Sequence, residues 1–346
     1  MHIDKHHIGP GLPCFIIAEA GVNHNGSLKQ AQLLIDAAVQ AGADAVKFQT
    51  FKAESLVTAH APKAAYQREA TGVAETQLEM LQNLELSLED FAALYTYCAS
   101  QNILFMSTPF DRESADFLAA LGMAVFKIPS GELTNLPFLT HVARLHRPMI
   151  VSTGMARLSE VDIAFQTITE SGNDDIALLH CVSSYPAAPE ESNLRAMATM
   201  GTAFGVPIGF SDHTLGTAVT LAAVALGACI IEKHITLDRN LPGPDHRMSL
   251  EPHELSTLVR EIRQVEVALG HGHKIPADSE ADTARAARRS LVAEQDIPAG
   301  VRLTDAMIAI KRPGGGLLPS MYAFVLGRTT REPIARGTLL RLEMLS

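Results

Sequence analysis

Eight short apolar runs, each turning polar at its last positions, constrain this chain more than any other feature. They are CFIIAEAG (14–21), AVKFQTF (45–51), LFMSTPF (104–110), AVFKIPSGE (124–132), PMIVSTGM (148–155), IALLHCVSSYP (176–186), PIGFSDHT (207–214) and CIIEKHIT (229–236). Segments between them, such as 28–42 and 88–101, repeat apolar residues at three- and four-residue spacing, the period of a helix with one buried face. Gly42, Gly122, Gly172 and Gly227 stand where such helices should end. Strands that are apolar almost throughout are buried on both faces, and helices alternating with them make neighbouring strands parallel. The expected fold is therefore α/β, a parallel (β/α)₈ TIM barrel. A doubly wound open sheet is the alternative. No GxGxxG follows the first run, which weakens the dinucleotide-binding form of that sheet. Residues 52–86 make a long connection, which reads as a lid over one mouth of the barrel.

The 346 residues are enough for one large domain and a small one, and 47% hydrophobic content supports a sizeable core. No apolar run approaches the ~20 residues of a membrane helix. The opening MHIDKHHIGPGLP lacks the basic-then-apolar order of a signal peptide, so the cytoplasm is the expected compartment. Cys14, Cys98, Cys181 and Cys229 form no CxxC pair and read as reduced thiols, three of them in apolar runs. A net charge of −10 argues against nucleic acid as the main partner. The balance is uneven. From Arg285 onward there are ten Lys/Arg and five Asp/Glu, net +5, which leaves −15 on residues 1–284. The helical period stops at Gly270. The expected organisation is a catalytic barrel over 1–270, a linker over 271–285, and a small β-rich domain over 286–346.

In a parallel barrel the C-terminal ends of all strands open on one face, where active sites sit. The polar residues of the eight runs fall at those ends. They are Glu19; Lys47 and Gln49; Ser107 and Thr108; Lys127, Ser130 and Glu132; Ser152 and Thr153; Ser183, Ser184 and Tyr185; Ser211, Asp212 and His213; and Glu232, Lys233 and His234. Lys233 and His234, which interrupt an otherwise apolar strand, would belong to this ring. His213 and His234 would end adjacent strands, roughly 5 Å apart. Two imidazoles there suit a divalent metal such as Mn²⁺, Co²⁺, Fe²⁺ or Zn²⁺ and leave positions for water and substrate. His180 and His24 are competing ligands. Lys47 and Lys127, with Gln49, Thr108, Ser130 and Ser152, read either as a phosphate cradle or as a structural ring around Glu19 and Glu132. Two lysines facing one another favour an anionic phosphate or carboxylate substrate.

Taken together in order, IIAEAGVNHNGSL, GADAVKFQTF, STPFD, FKIPSGELTNLP, VSTGM, LLHCVSSYP, IGFSDHT, EKHITLDRNLPGPDH and IKRPGGG resemble the bacterial sialic acid synthases, the N-acetylneuraminate and nonulosonate synthase family. The tail is similar to that family's antifreeze-like (SAF) domain. The resemblance implies a transferase that joins phosphoenolpyruvate to an N-acylated hexosamine aldehyde, usually N-acetylmannosamine, giving a nine-carbon 2-keto acid and phosphate. It implies Mn²⁺, or another divalent ion such as Mg²⁺ or Co²⁺, on His213 and His234. It implies phosphoenolpyruvate held by Lys47, Gln49, Thr108, Lys127, Ser130 and Ser152. Glu19, Tyr185 and Asp245 match positions facing the sugar or the reacting carbons, and Glu19 or Glu132 would activate water. Arg312 matches the residue that the tail inserts into a neighbouring subunit's pocket to bind the N-acyl group, which implies a domain-swapped homodimer. Many N-acetylneuraminate synthases carry Asn where this chain has Ser183, beside the sugar. Relatives acting on 2,4-diacetamido-2,4,6-trideoxyhexoses, giving legionaminic or pseudaminic acid, often carry Ser. A phosphorylated acceptor would want a second cluster of arginines. A carbohydrate- or ice-binding protein is the reading from another class, and the tail's ten basic residues speak against an ice-binding surface.

Overall fold

The computed structural model describes residues 1–72 and 75–346. Its contacts divide the chain into two compact units, Met1–Gly270 and His271–Ser346.

The first unit is the parallel barrel expected from the eight runs. Among the described residues its strands are β1 Phe15–Gly21, β2 Ala45–Thr50, β3 Leu104–Pro109, β4 Phe126–Ile128, β5 Met149–Ser152, β6 Ile176–Cys181, β7 Ile208–Asp212 and β8 Ile230–His234. They hydrogen-bond in the order β3-β2-β1-β8-β7-β6-β5-β4, every pair parallel, and the outermost two, β3 and β4, lie side by side. The sheet is thus a nearly closed barrel.

Successive strand residues face opposite sides, and that alternation divides the core in two. Outward residues such as Ile16, Val46, Phe105, Val151, Leu178 and Ile231 pack under the helices. Helix α1, Leu28–Ala41, shows how they are covered. Ala31, Leu34, Ile35 and Ala38 fall on one buried face, Ser27 Oγ accepts from the Gln30 N–H, and Gly42 ends the helix at φ 79°. Inward residues Phe15, Ile17, Ala45, Met106, Ile150, Ala177, Leu179 and Ile230 form a second cluster inside the barrel. A short N-terminal ribbon, His2–Ile3 paired with His6–His7, adds Ile3 and Ile8 to that cluster. The sequence reading passed over this ribbon because two-residue strands carry no periodic signal.

Two segments differ from expectation. The fourth run, read as 124–132, keeps strand form only over Phe126–Ile128 and turns into a 3₁₀ helix at Ser130–Glu132 after Pro129, which has no N–H for a ladder. The 52–86 connection carries helices Ala53–Leu56, Ala65–Thr71 and Gln77–Gln82. Phe51, Met80 and Leu84 pack with Val22, while buried Lys63 pairs with Glu75 at 2.9 Å. No helix among the described residues is long and apolar enough to cross a membrane.

In the second unit, strands β9 Ser290–Ala293 and β10 Ile308–Lys311 pair antiparallel over a core that includes Leu291, Ile297, Leu303, Val325, Ile334 and Leu340. Residues 271–285, read as a linker, carry a 3₁₀ turn at Asp278–Glu280 and the start of a helix, Ala281–Ala287.

Candidate active site

A cavity of about 500 Å³ opens at the C-terminal ends of the barrel strands. The strand alternation that buries Ile17, Ala45 and Ile230 sends Glu19, Lys47 and Glu232, two residues further on, into this cavity. Lys127 on β4 and Ser152 on β5 follow the same parity.

The cavity floor is a closed charge network. Lys47 Nζ lies 2.7 Å from Glu19 Oε2, 3.7 Å from Glu232 Oε2, and donates to Thr108 Oγ1 at 3.0 Å. Lys127 Nζ donates to Ser152 Oγ at 2.7 Å and lies 3.6 Å from Glu232 Oε1, which also accepts from Ser211 Oγ at 3.1 Å. One carboxylate therefore stands between the two lysines. Gln49 Nε2 donates to Glu19 Oε1 at 3.1 Å.

The two glutamates differ in electrostatics. Burial, together with the Glu232 charge, raises Glu19 to about 7 against the opposing pull of Lys47. Burial acts the same way on Glu232, but Lys127 and Lys47 outweigh it and hold that carboxyl below the usual range. Neighbouring acids pushed apart in this way take different roles, one fixed as an anion and one able to exchange a proton near neutrality. Burial also works against the charge on both lysines. Glu19 and Glu232 overcome it at Lys47, which is raised, whereas Lys127 is lowered.

His213 and His234 face each other beside this floor with ring centroids 5.5 Å apart. His213 Nδ1 is 2.7 Å from the Val182 carbonyl and donates to it, which turns Nε2 toward the cavity. Burial opposes charge on His213, but the Cys181 thiol and the Val182 carbonyl favour it, and its pKa is raised. Burial lowers His234 well below its ordinary value, so its ring is neutral, and its buried Nδ1 has no hydrogen-bond partner. Asp245 Oδ2 lies 3.9 Å from that nitrogen, and burial raises Asp245 to about 6. An orphaned imidazole nitrogen facing a second imidazole is a donor set that fits a divalent cation. Among the described residues no group of three His, Cys, Asp or Glu is placed to hold one ion. The Tyr185 ring lies tilted against His213 with centroids 4.2 Å apart, and Tyr66, from the 52–86 connection, lies tilted against Tyr185 at 4.9 Å.

The cavity is lined by Glu19, Lys47, Gln49, Thr108, Lys127, Ser130, Ser152, Ser183, Tyr185, His213, His234 and Asp245, all singled out from the sequence. Glu132 is not among them. The 3₁₀ turn ends the strand alternation, and the Glu132 carboxylate instead accepts from Asn135 Nδ2 at 2.6 Å. Lys233 is the second correction. It has the opposite parity to Glu232 and His234, faces away from the cavity, and pairs with Asp212 at 2.8 Å. His180 turns outward as well, its Nε2 bonded to the Ser192 carbonyl, and His24 is buried outside the lining with its Nδ1 accepting from the Gly26 N–H. Arg312 is an exposed residue of the second unit, directly after β10.

The sequence reading counted Glu232 and Ser211 among the polar strand ends but gave neither a role in the site. Parity was the available signal, since 232 shares its face with 234, and 211 with 213. It also missed an apolar flank on the same cavity, formed by Val22, Phe51, Leu56, Met80, Leu84 and Phe110. No periodicity marks this flank, because its parts come from strand ends and from the 52–86 connection. Among the described residues no arginine lines the cavity.

Residues 34–274 match the NeuB family, and residues 288–346 match the SAF domain. The chain is 47% identical over 339 residues to an N,N'-diacetyllegionaminic acid synthase of Legionella pneumophila, covering 97% of this chain and 95% of that protein. It is 47% identical over 328 residues to an N,N'-diacetyllegionaminic acid synthase of Campylobacter jejuni, covering 94% and 98%. A solved structure of the N-acetylneuraminic acid (sialic acid) synthetase of Leptospira borgpetersenii, in complex with citrate, superposes with a TM-score of 0.72 at 37% identity, covering 82% of this chain and 94% of that one. Barrel, charged floor and sequence relationship lead to the same conclusion: the chain belongs to the NeuB family.

Proposed function

We propose that this chain is a nonulosonate synthase, an enzyme that condenses phosphoenolpyruvate with the open-chain aldehyde of an N-acylated hexosamine and releases phosphate. The observation that carries the reading is the cavity floor. Two buried lysines converge there with Thr108 and Ser152 within 3.0 Å of their Nζ atoms. Such a set suits a phosphate-bearing anion. A divalent ion on His213 and His234, Mn²⁺ or a similar ion such as Mg²⁺ or Co²⁺, would act as a Lewis acid on the acceptor's carbonyl oxygen.

The chain's own residues supply the rest. Lys47 and Lys127 hold the phosphoryl group of the donor, and Ser152, Thr108, Ser130 and Gln49 orient it. Carbon 3 of phosphoenolpyruvate bonds to the aldehyde carbon. Water adds at carbon 2 as positive charge develops there, giving one proton to Glu19, which passes it to the alkoxide left at the former aldehyde oxygen. The adduct then breaks its C–O bond to phosphate, and the proton of its carbon 2 hydroxyl leaves with the phosphate as the keto group forms. Glu19 suits the base role because burial brings it to about 7. Glu232 stays ionised beneath the developing charge, and Gln49 fixes the Glu19 carboxylate.

The acceptor we propose is a 2,4-diacetamido-2,4,6-trideoxyhexose, the legionaminic-type substrate, rather than N-acetylmannosamine. Three features support it: the names of the relatives at 47% identity, Ser183 in the cavity, and an apolar flank suited to a deoxygenated carbon and acyl methyl groups. With no arginine among the described residues lining it, the cavity of a single chain is poorly equipped for a phosphorylated sugar. A panel of both acceptors, scored by phosphate release from phosphoenolpyruvate with Mn²⁺, tests the reading. Release with neither sugar would reject the activity, and release with N-acetylmannosamine alone would reject the acceptor. We further assign Arg312 to the acceptor's N-acyl group in the cavity of a second subunit of a homodimer. Arg312→Ala should then raise the acceptor's KM at least ~10-fold, as expected for one charge-assisted hydrogen bond, and leave that of phosphoenolpyruvate nearly unchanged. Equal effects on both would remove that assignment. A phosphorylated metabolite as donor fits a cytoplasmic enzyme.

A further inference from the structure

The buried ion pair behind the two histidines has no part in the chemistry above, yet its placement is specific. Asp212 is the last residue of β7 and directly precedes His213, while Lys233 is the next-to-last residue of β8 and directly precedes His234. The two are Cα partners in the ladder between those strands. Their side chains are 0% and 1% exposed, with Lys233 Nζ 2.8 Å from Asp212 Oδ2.

The pair also bonds both backbone polar groups of Thr214 and the hydroxyl of Thr220. Lys233 Nζ also donates to the Thr214 carbonyl at 2.5 Å. Asp212 Oδ1 accepts the Thr214 N–H at 2.8 Å, and Oδ2 accepts Thr220 Oγ1 at 2.5 Å. His213 therefore lies between two residues that the pair clamps together, 212 by its side chain and 214 by both of its backbone polar groups. The ladder from β8 has ended by this point, and an isolated parallel bridge between Ala187 and Thr214 is the sheet-type pairing that continues here. Two bonds from outside the pair complete the hold: Ala187 N–H to the His213 carbonyl at 2.9 Å, and the ring's own Nδ1 to the Val182 carbonyl at 2.7 Å.

Two apolar residues of similar volume would fill the same space without the desolvation cost of buried charge. What they would not provide is direction. A carboxylate accepting from three donors and an ammonium bonded to a carbonyl set the orientation of the peptides they touch. We propose that the Asp212–Lys233 pair positions the two imidazoles, locking the backbone around His213 so that its ring stays opposed to His234 across the cation position. This rests on the reading of His213 and His234 as metal ligands. The pair acts through the ligands' backbone and touches neither substrate nor cation.

The experiment measures Mn²⁺ binding to the full chain without substrate, by calorimetry and by the loss of the free-ion paramagnetic resonance signal. Lys233→Met should weaken Mn²⁺ binding roughly 10-fold, the lower end of what a supporting residue contributes to a metal site. Lys233→Arg, which keeps charge and donors, should recover most of that loss. Thr220→Val removes one donor to Asp212 without leaving a buried charge unpaired. It should weaken binding by a smaller but measurable factor, and it keeps the test open if Lys233→Met does not fold. Val151→Ala, a cavity on the outward face of β5, is the control, lowering Tm without changing Mn²⁺ affinity. Folded Lys233 and Thr220 variants that bind Mn²⁺ like the parent would overturn the proposal and leave the metal reading intact. A parent protein that binds no Mn²⁺ would overturn the metal reading and this proposal with it.

Discussion

The two ends of the barrel interior are built from the same strands at the same parity, two residues apart, and they are opposites. Ile17, Ala45 and Ile230 join a dry apolar cluster with Ile3 and Ile8, and Glu19, Lys47 and Glu232 lie one step further along the same strands, buried to a similar degree. The lower layer is held by area removed from water and tolerates exchange among similar shapes. The upper layer is held by charge compensation, in which each member depends on the others. Equal burial thus serves two purposes. The lower end resists unfolding, and the upper end keeps unlike charges close at fixed distances.

That contrast can be broken most severely at Lys47. Lys47→Met leaves buried Glu19 without its counter-charge and Glu232 with Lys127 alone, and it should cost about 3–5 kcal/mol of stability and abolish phosphate release. Denaturant melts and turnover check both, and a variant as stable as its parent would show that charge does not hold the upper layer. His234→Ala should abolish turnover and Mn²⁺ binding while the melt stays cooperative. Unchanged turnover would remove the metal role. Glu19→Gln should lower kcat ~10²–10⁴-fold.

Glu19 also gives a pH signature. As a base it must be ionised, so the parent's kcat/KM should rise through about pH 7, and the Gln variant should lack that limb. Stability runs the other way. The folded state keeps this proton up to about 7, whereas the unfolded chain releases it near the ordinary 4.5, so the Glu19 contribution fades as pH rises between those values. Parent and variant melts at pH 5 and pH 8 would expose the difference. The smallest effect is expected at the dry end. Ile17→Val should cost about 0.5–1.5 kcal/mol and leave both KM values alone, and a changed KM would mean that the two layers are mechanically coupled.

Much of this arrangement was legible in the residues, and the failures share a cause. Runs that turned polar at one end predicted the barrel and which mouth holds the chemistry. Listing the polar tips without their parity put Lys233 into the ring beside Glu232, although only Glu232 faces the cavity. Glu132 was carried three residues past Pro129, where the strand had already ended. The apolar flank had no signal at all, since Val22, Phe51, Met80 and Phe110 are far apart in sequence and only the closed barrel gathers them. The clamp on His213 was unreadable for the same reason, because a lysine at a strand end does not announce which aspartate it meets.

Glu232 has a consequence for what the cavity admits. With its carboxylate shared between Lys47 and Lys127, the pocket supplies its own counter-ion, and the two ammoniums do not wait as bare positive charge. A chloride ion drifting in gains little, because the attraction it would feel is already largely cancelled. An anion carrying several charges on one rigid group can engage both ammoniums at once and outcompete the resident carboxylate. Multivalency, more than size or shape, is then the first property by which this pocket sorts what enters it.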